Sequence, residues 1–188
     1  MKSSFDIDLS KALITLRKGG VILYPTDTIW GLGCDATNEM AIERIFTIKQ
    51  RSQQQPLLIL VDSLEMLRKQ VDCKNELLMK NLSFHEPTTV IFPKKQSLPD
   101  NLTGFQSSIA IRLVDEPFCN ALIRQLGRPL VSTSANISGQ KSPALFSEIM
   151  QSVIRQVDYV VQYRQDDKIP AQPSAIVKIK DGKLLKIR

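Results

Sequence analysis

Short apolar runs alternate with capped amphipathic stretches along this chain, and that alternation limits its possible folds more than any other feature. A surface helix buries one stripe, whereas a fully buried strand reads as a short continuous apolar run. The pattern therefore predicts an α/β architecture on a mixed sheet. Residues 10–18 read as a helix, with Ser10 as its cap and Gly19 or Gly20 as its stop. Val21, Ile22, Leu23 and Tyr24 make a strand ended by Pro25. Asn38 can cap a second helix that carries Ile42, Ile45 and Phe46 on one face. Strands are expected over 57–61, 90–92 and 109–113, with Ser63 capping a short helix after the first. Pro117 and Gly127 bracket another helix. Ser142-Pro143 opens a further one, expected to run to about residue 157, and 159–162 returns as strand. Asp181-Gly182 between two apolar runs predicts an antiparallel hairpin, while crossovers through helices predict parallel pairs elsewhere.

At 188 residues the chain is expected to form one domain over 1–188. No apolar run approaches the ~20 residues of a membrane span. Residues 1–20 carry no secretory core, so a cytoplasmic location is expected. Cys34, Cys73 and Cys119 lie far apart, which argues against a disulfide framework or a zinc site. The net charge of +6 favours anionic partners without separating a nucleotide from a nucleic acid. Basic residues are dispersed except in a tail holding Lys178, Lys180, Lys183, Lys186 and Arg188, and solubility explains that spread as well. There is neither a Gly-x-x-x-x-Gly-Lys phosphate loop nor a Gly-x-Gly-x-x-Gly fingerprint. His85, the single histidine, stands beside Glu86-Pro87 in a loop-like stretch and offers little to a nucleophilic triad.

Three polar segments then stand out. YPTDTIWGLGCDA (24–36) follows a strand with two threonines, an aspartate and two glycines; a turn whose side chains satisfy local amides explains it equally. Lys49-Gln50-Arg51 closes the Asn38 helix, where the helix dipole alone favours cations by ~0.3–1 kcal/mol. PLVSTSANISG (129–139) puts hydroxyls and an amide at the end of a buried strand, which suits an oxygen-rich ligand or a cap for the Pro143 helix.

In this order the segments resemble the YrdC-like family of threonylcarbamoyl-AMP synthases, from about Ser10 to Arg188. Ile109-Ala110-Ile111-Arg112, Pro56-Leu57 and Pro173-Ser174-Ala175-Ile176-Val177 extend the likeness. The resemblance implies a twisted mixed sheet with flanking helices and a large basic cavity. It also implies the reaction: ATP, L-threonine and bicarbonate give threonylcarbamoyl-AMP and pyrophosphate. The product would pass to a separate complex that modifies tRNA to threonylcarbamoyladenosine. Lys49 and Arg51 would neutralise phosphate in catalysis, with Mg²⁺ carried on the phosphates rather than by protein ligands. ATP would be held by Arg51, Gln55, Ser108, Ser134, Asn136, Ser142 and Arg188. Thr28, Arg112, Ser132 and Ser174 would hold threonine or its carbamate, and Thr26 and Asp27 would shape their loop, with Asp27 able to see the metal through water. A carbamate is already anionic, so such a reaction needs neutralisation and alignment of two anions more than a strong base.

The chain departs from the family pattern at Ser52, Gln55, Leu60 and His85-Glu86-Pro87, and it is expected to be the single-domain form. Two other function classes stay open. A non-catalytic RNA-binding or ribosome-maturation protein would use the basic cavity and tail without turnover. A paralogue could take another carbamoyl-type substrate, as the carbamoyl-transfer modules of hydrogenase maturation do.

Overall fold

The computed structural model describes residues 3–71, 86–95, 98–180 and 183–187. Helix α1 spans Ser4–Arg17 and so begins well before Ser10. Its start is fixed by a reciprocal capping box: the Ser3 hydroxyl accepts from the Asp6 amide and the Asp6 carboxylate accepts from the Ser3 amide, both at 3.2 Å. Ser10 is instead an interior residue whose hydroxyl donates to the Asp6 carbonyl at 2.8 Å. Strand β1 is Ile22–Tyr24, and β2 is Gly31–Gly33, a strand the sequence pattern does not predict. Helix α2 spans Glu39–Lys49 with the Asn38 side chain accepting from the Ala41 amide, as expected. Strand β3 (Leu58–Val61) leads to α3 (Leu64–Gln70), capped by Ser63. Strands β4 (Thr88–Pro93) and β5 (Ser108–Leu113) precede α4 (Pro117–Leu126), which stops at Gly127 with φ of 71°. Strand β6 is Leu130–Ser134, β7 is Tyr159–Val160, and β8 (Ala175–Lys180) pairs with β9 (Lys183–Lys186) as the expected antiparallel hairpin.

The helix expected over 142–157 is not formed. A 3-10 turn at Phe146–Glu148 and one α turn at Gln151–Ile154 (α5) replace it. The Ala144 amide donates to the Glu148 carboxylate at 2.7 Å, and the Phe146 ring sits 4.8 Å from that of Trp30. Ile149 and Val153 are meanwhile drawn into the core. These tertiary contacts override the local helical pattern. The Asp181-Gly182 turn, Cys73 and His85 lie outside the described residues; Cys34 and Cys119 are buried free thiols. No helix among the described residues is long and apolar enough to cross a membrane.

Among the described residues the strands form a nine-stranded sheet in the order β7-β1-β2-β6-β3-β5-β4-β8-β9. Pairs β1/β7, β3/β5 and β4/β8 are parallel and the rest antiparallel, so the sheet is mixed as the crossovers imply. Alternation along the strands sends Ile59, Ile111, Val90 and Val131 into one core layer with α2. Leu60 and Leu130 face the other way, into a second layer under α1 and α4. Those two helices cover only part of that second face. Beyond them Leu58, Arg112 and Ser132 line a recess in the sheet face, and there the site lies.

Candidate active site

The register places the polar residues side by side. Ser132 on β6 faces Leu58 on β3, and Leu58 faces Ala110 on β5. One step along, Arg112 on β5 pairs with Thr89 on β4, and Thr89 pairs with Ile176 on β8. Ser134 pairs with Gly31 of β2. A Cβ at Gly31 would lie 3.1 Å from the Ser132 hydroxyl, so glycine here keeps the floor of the site open. The result is a cavity of about 200 Å³.

Thr28, Arg51, Arg112, Ser132, Ser134, Ser142 and Ser174, all expected at the site, line this one cavity. Its apolar walls are Ile29, Trp30, Leu57, Leu58, Pro173 and Ile176. Sequence reasoning missed most of these, because an apolar strand residue carries the same signature whether it faces a core or a ligand. Among the described residues, the charged groups on the lining are two guanidiniums, Arg51 and Arg112, and no carboxylate joins them.

Each arginine is built in. Gln50, at φ of 49°, turns α2 back on itself so that the Arg51 amide donates to the Phe46 carbonyl at 3.0 Å. The Arg51 Nη2 donates to the Pro56 carbonyl at 2.8 Å, and burial pulls its pKa below the ordinary arginine value. Arg112 is 3% exposed, and its Nη2 lies 3.1 Å from Asp27 Oδ1 and 3.5 Å from Thr26 Oγ1. Asp27 is thus the counter-ion of Arg112. The Nε atoms of both arginines are buried with no hydrogen-bond partner among the protein atoms. Two guanidinium side chains thus stand on the lining of one hollow, which suits it to oxygen-rich anions. The Ser174 hydroxyl shares a 2.8 Å hydrogen bond with buried Thr89.

Lys49 is placed differently. It is 1% exposed and does not line the cavity. Its ammonium donates to the Ser134 carbonyl at 2.5 Å, the Asn136 carbonyl at 2.8 Å and Asn136 Oδ1 at 3.4 Å. Burial first, and the Arg51 charge second, push its pKa down to about 7. Asn136 is also turned inward, its amide donating to the carbonyls of Ile137 and Gln140 at 3.1 and 2.7 Å. Lys49 and Asn136 thus brace the hydroxyl-bearing strand from behind. Without a Pro143 helix, the Ser132 to Asn136 hydroxyls do not act as its cap.

Gln55 is exposed on the loop after Arg51, outside the lining. Ser108 shares the Arg112 face of β5 and lines a neighbouring depression of about 510 Å³ with Ile91, Pro93 and Lys178. Arg188 lies outside the described residues. No group of three or more His, Cys, Asp or Glu poised for a metal occurs among the described residues.

Similarity to known proteins extends over nearly the whole chain. The Sua5/YciO/YrdC family model, described as "Telomere recombination", matches residues 15–188. The chain is 35% identical over 184 residues to a protein of Pseudoalteromonas translucida named threonylcarbamoyl-AMP synthase, covering 95% of this chain and 96% of that one. A crystal structure of P. abyssi Sua5 complexed with L-threonine superposes with a TM-score of 0.84 at 26% identity, covering 100% of this chain. This chain matches just over half, 55%, of that longer one. E. coli YciO superposes with a TM-score of 0.82 at 28% identity, covering 96% of this chain and 87% of that one.

Proposed function

Because this chain belongs to the Sua5/YciO/YrdC family, we propose that it is a threonylcarbamoyl-AMP synthase, joining ATP, L-threonine and bicarbonate with release of pyrophosphate. The observation that carries the reading is the pair of guanidiniums, Arg51 and Arg112, on the lining of one hydroxyl-rich cavity. Two anions that repel each other need such a pair of cations to meet. Arg112, locked by Asp27, takes the carboxylate of threonine, with Thr28, Ser132 and Ser174 around its amine or carbamate. Arg51, Ser134 and Ser142 take phosphate oxygens, and Ser108 extends the nucleotide side of the face.

The amine of threonine and bicarbonate give a carbamate and water. A carbamate oxygen then attacks the α-phosphorus, and the bond to the β,γ-diphosphate breaks in line. The nucleophile is already ionised, so a lining with no histidine among the described residues is no obstacle. The serine hydroxyls and the arginine forks hold the reacting groups, and the apolar walls limit water. Mg²⁺ fits this site as a passenger on the triphosphate, since Asp27 is committed to Arg112. When bound, it offsets phosphate charge. The product suits a downstream acyl transfer to tRNA by a separate complex, and ATP and bicarbonate are both at hand in the cytoplasm.

The test is pyrophosphate release with ATP, Mg²⁺ and bicarbonate, with and without L-threonine. Release should depend on threonine, and L-serine should support it about 10–200-fold less well, the range one methyl group commands in an apolar pocket. RNA binding that falls steeply with salt, with no threonine-dependent release, would overturn the reading in favour of a non-catalytic protein.

A further inference from the structure

Arg164 follows β7, outside the cavity lining, with φ of 66°. Left-handed backbone is rare for a residue with a long side chain, and it persists only where the surroundings hold it there. Here the side chain does the holding. Its Nε donates to Asp167 Oδ2 at 2.8 Å, and its Nη1 donates to the Thr26 carbonyl at 3.0 Å. The same Nη1 lies 3.7 Å from Glu116 Oε1, a buried oxygen with no hydrogen-bond partner. One planar fork thus ties its own segment, and the Glu116 end of α4, to the back of the loop whose front forms a wall of the cavity.

What it grips matters to the site. Thr26 is 1% exposed and its hydroxyl donates to the Ile29 carbonyl at 2.9 Å. That oxygen can then only accept from the Thr28 hydroxyl, 2.9 Å away, and it also accepts from the Thr28 amide at 3.0 Å. Thr28 has therefore spent its proton on Thr26 and turns only lone pairs to the cavity, where they can accept from an amine or a hydroxyl of the ligand. Arg112 reaches the same Thr26 hydroxyl from the cavity side at 3.5 Å.

We propose that Arg164 is a positioning residue for the amino-acid half of the site, acting through Thr26 to set Thr28 as an acceptor and to seat Arg112. The proposal rests on the threonine-activating reading above. Among the described residues, Arg164 makes its hydrogen bonds and ion pairs with Thr26, Glu116 and Asp167, none of them on the phosphate side, so its loss weakens threonine and spares ATP. Lysine cannot reach Asp167 and Thr26 in one fork, so it recovers only part of the effect.

The experiment compares Arg164→Ala, Arg164→Gly and Arg164→Lys with the parent protein, varying L-threonine at saturating ATP and the reverse. KM for threonine should rise about tenfold in the alanine and glycine variants, with KM for ATP within twofold and the lysine variant between. The glycine variant relieves the left-handed backbone and should melt no lower than the alanine variant while binding threonine as poorly, which separates positioning from stability. Threonine KM values within twofold of the parent, or threonine and ATP KM values rising together, overturn the proposal alone. A parent protein that neither binds threonine, read by Trp30 fluorescence, nor turns it over overturns the functional reading and this proposal with it.

Discussion

An ammonium group with 1% exposure must be met by acceptors, and Lys49 has three, two of them the main-chain carbonyls of Ser134, at the end of β6, and of Asn136 just beyond it. The Lys-x-Arg spacing marks Lys49 as important, but a backbone carbonyl leaves no trace in a sequence, so its acceptors were not legible there. The same is true of Asp27 and Arg112, which are remote in the chain and meet only when β5 is in register. Lys49→Met removes the donor and leaves buried carbonyls unmatched, at ~1–3 kcal/mol each. The variant should melt lower and bind ATP more weakly as Ser134 shifts. Its pH dependence is more diagnostic. In the folded chain Lys49 sits at about 7, against an ordinary 10.5 when unfolded. Between those values the unfolded state binds the extra proton, so this lysine makes stability rise with pH across that window and adds no slope below it. Urea unfolding from pH 7 to 9.5 should show that rise in the parent and a flatter profile in Lys49→Met. Equal slopes would mean that Lys49 holds its proton throughout.

The elements that position the phosphate side are a helix end and two short connections. Gln50 turns the chain out of α2, and the loop after it lies against Gly104, whose φ is 62°. A Cβ at Gly104 would fall 2.4 Å from the Gln54 carbonyl oxygen, a contact with backbone that no rotamer relieves. The Leu57 amide also donates to the Leu102 carbonyl at 2.9 Å, joining the same two connections. Gly104→Ala should therefore cost about 1–3 kcal/mol and displace the loop that fixes Arg51 through Pro56. The measurable result is a lower melting temperature with a raised KM for ATP and an unchanged KM for threonine; unchanged ATP binding would refute the coupling. Most capped helices were legible, Asn38, Ser63 and Pro117 each starting one as expected, but the Ser3–Asp6 capping box of α1 was overlooked in favour of Ser10. Strand β2 was not, because Gly31-Leu32-Gly33 has little strand propensity and owes its form to β1 and β6 on either side. The stretch 142–157 misled for the converse reason: its helical pattern is real, but Phe146 is held on Trp30, and the opened chain brings Ser142 to the cavity.

At the scale of the molecule, the site exists because α1 and α4 cover only part of one sheet face, and its two halves rest on different supports. Arg112, Ser132 and Ser174 belong to strands or their edges; on the phosphate side Ser134 shares β6 with Ser132, but the cation, Arg51, stands on the loop beside α2. Ligands that bind only the folded state stabilise it by mass action, about 2.7 kcal/mol at a hundred times Kd, so ATP and threonine should each raise the melting temperature. If the halves are physically separate, one response can be removed without the other. Arg112→Gln alone is a poor probe, since it strands the Asp27 carboxylate, whose side chain is 10% exposed, without its cation. Arg112→Gln combined with Asp27→Asn removes both charges and keeps the site neutral in balance. This double variant should lose the threonine-induced rise in melting temperature and keep the ATP-induced one. Trp30, the single tryptophan and a cavity wall, should still report ATP by its emission. A threonine response that survives the double change would place the carboxylate of the amino acid elsewhere in the cavity and leave Arg112 and Asp27 as a buried structural pair.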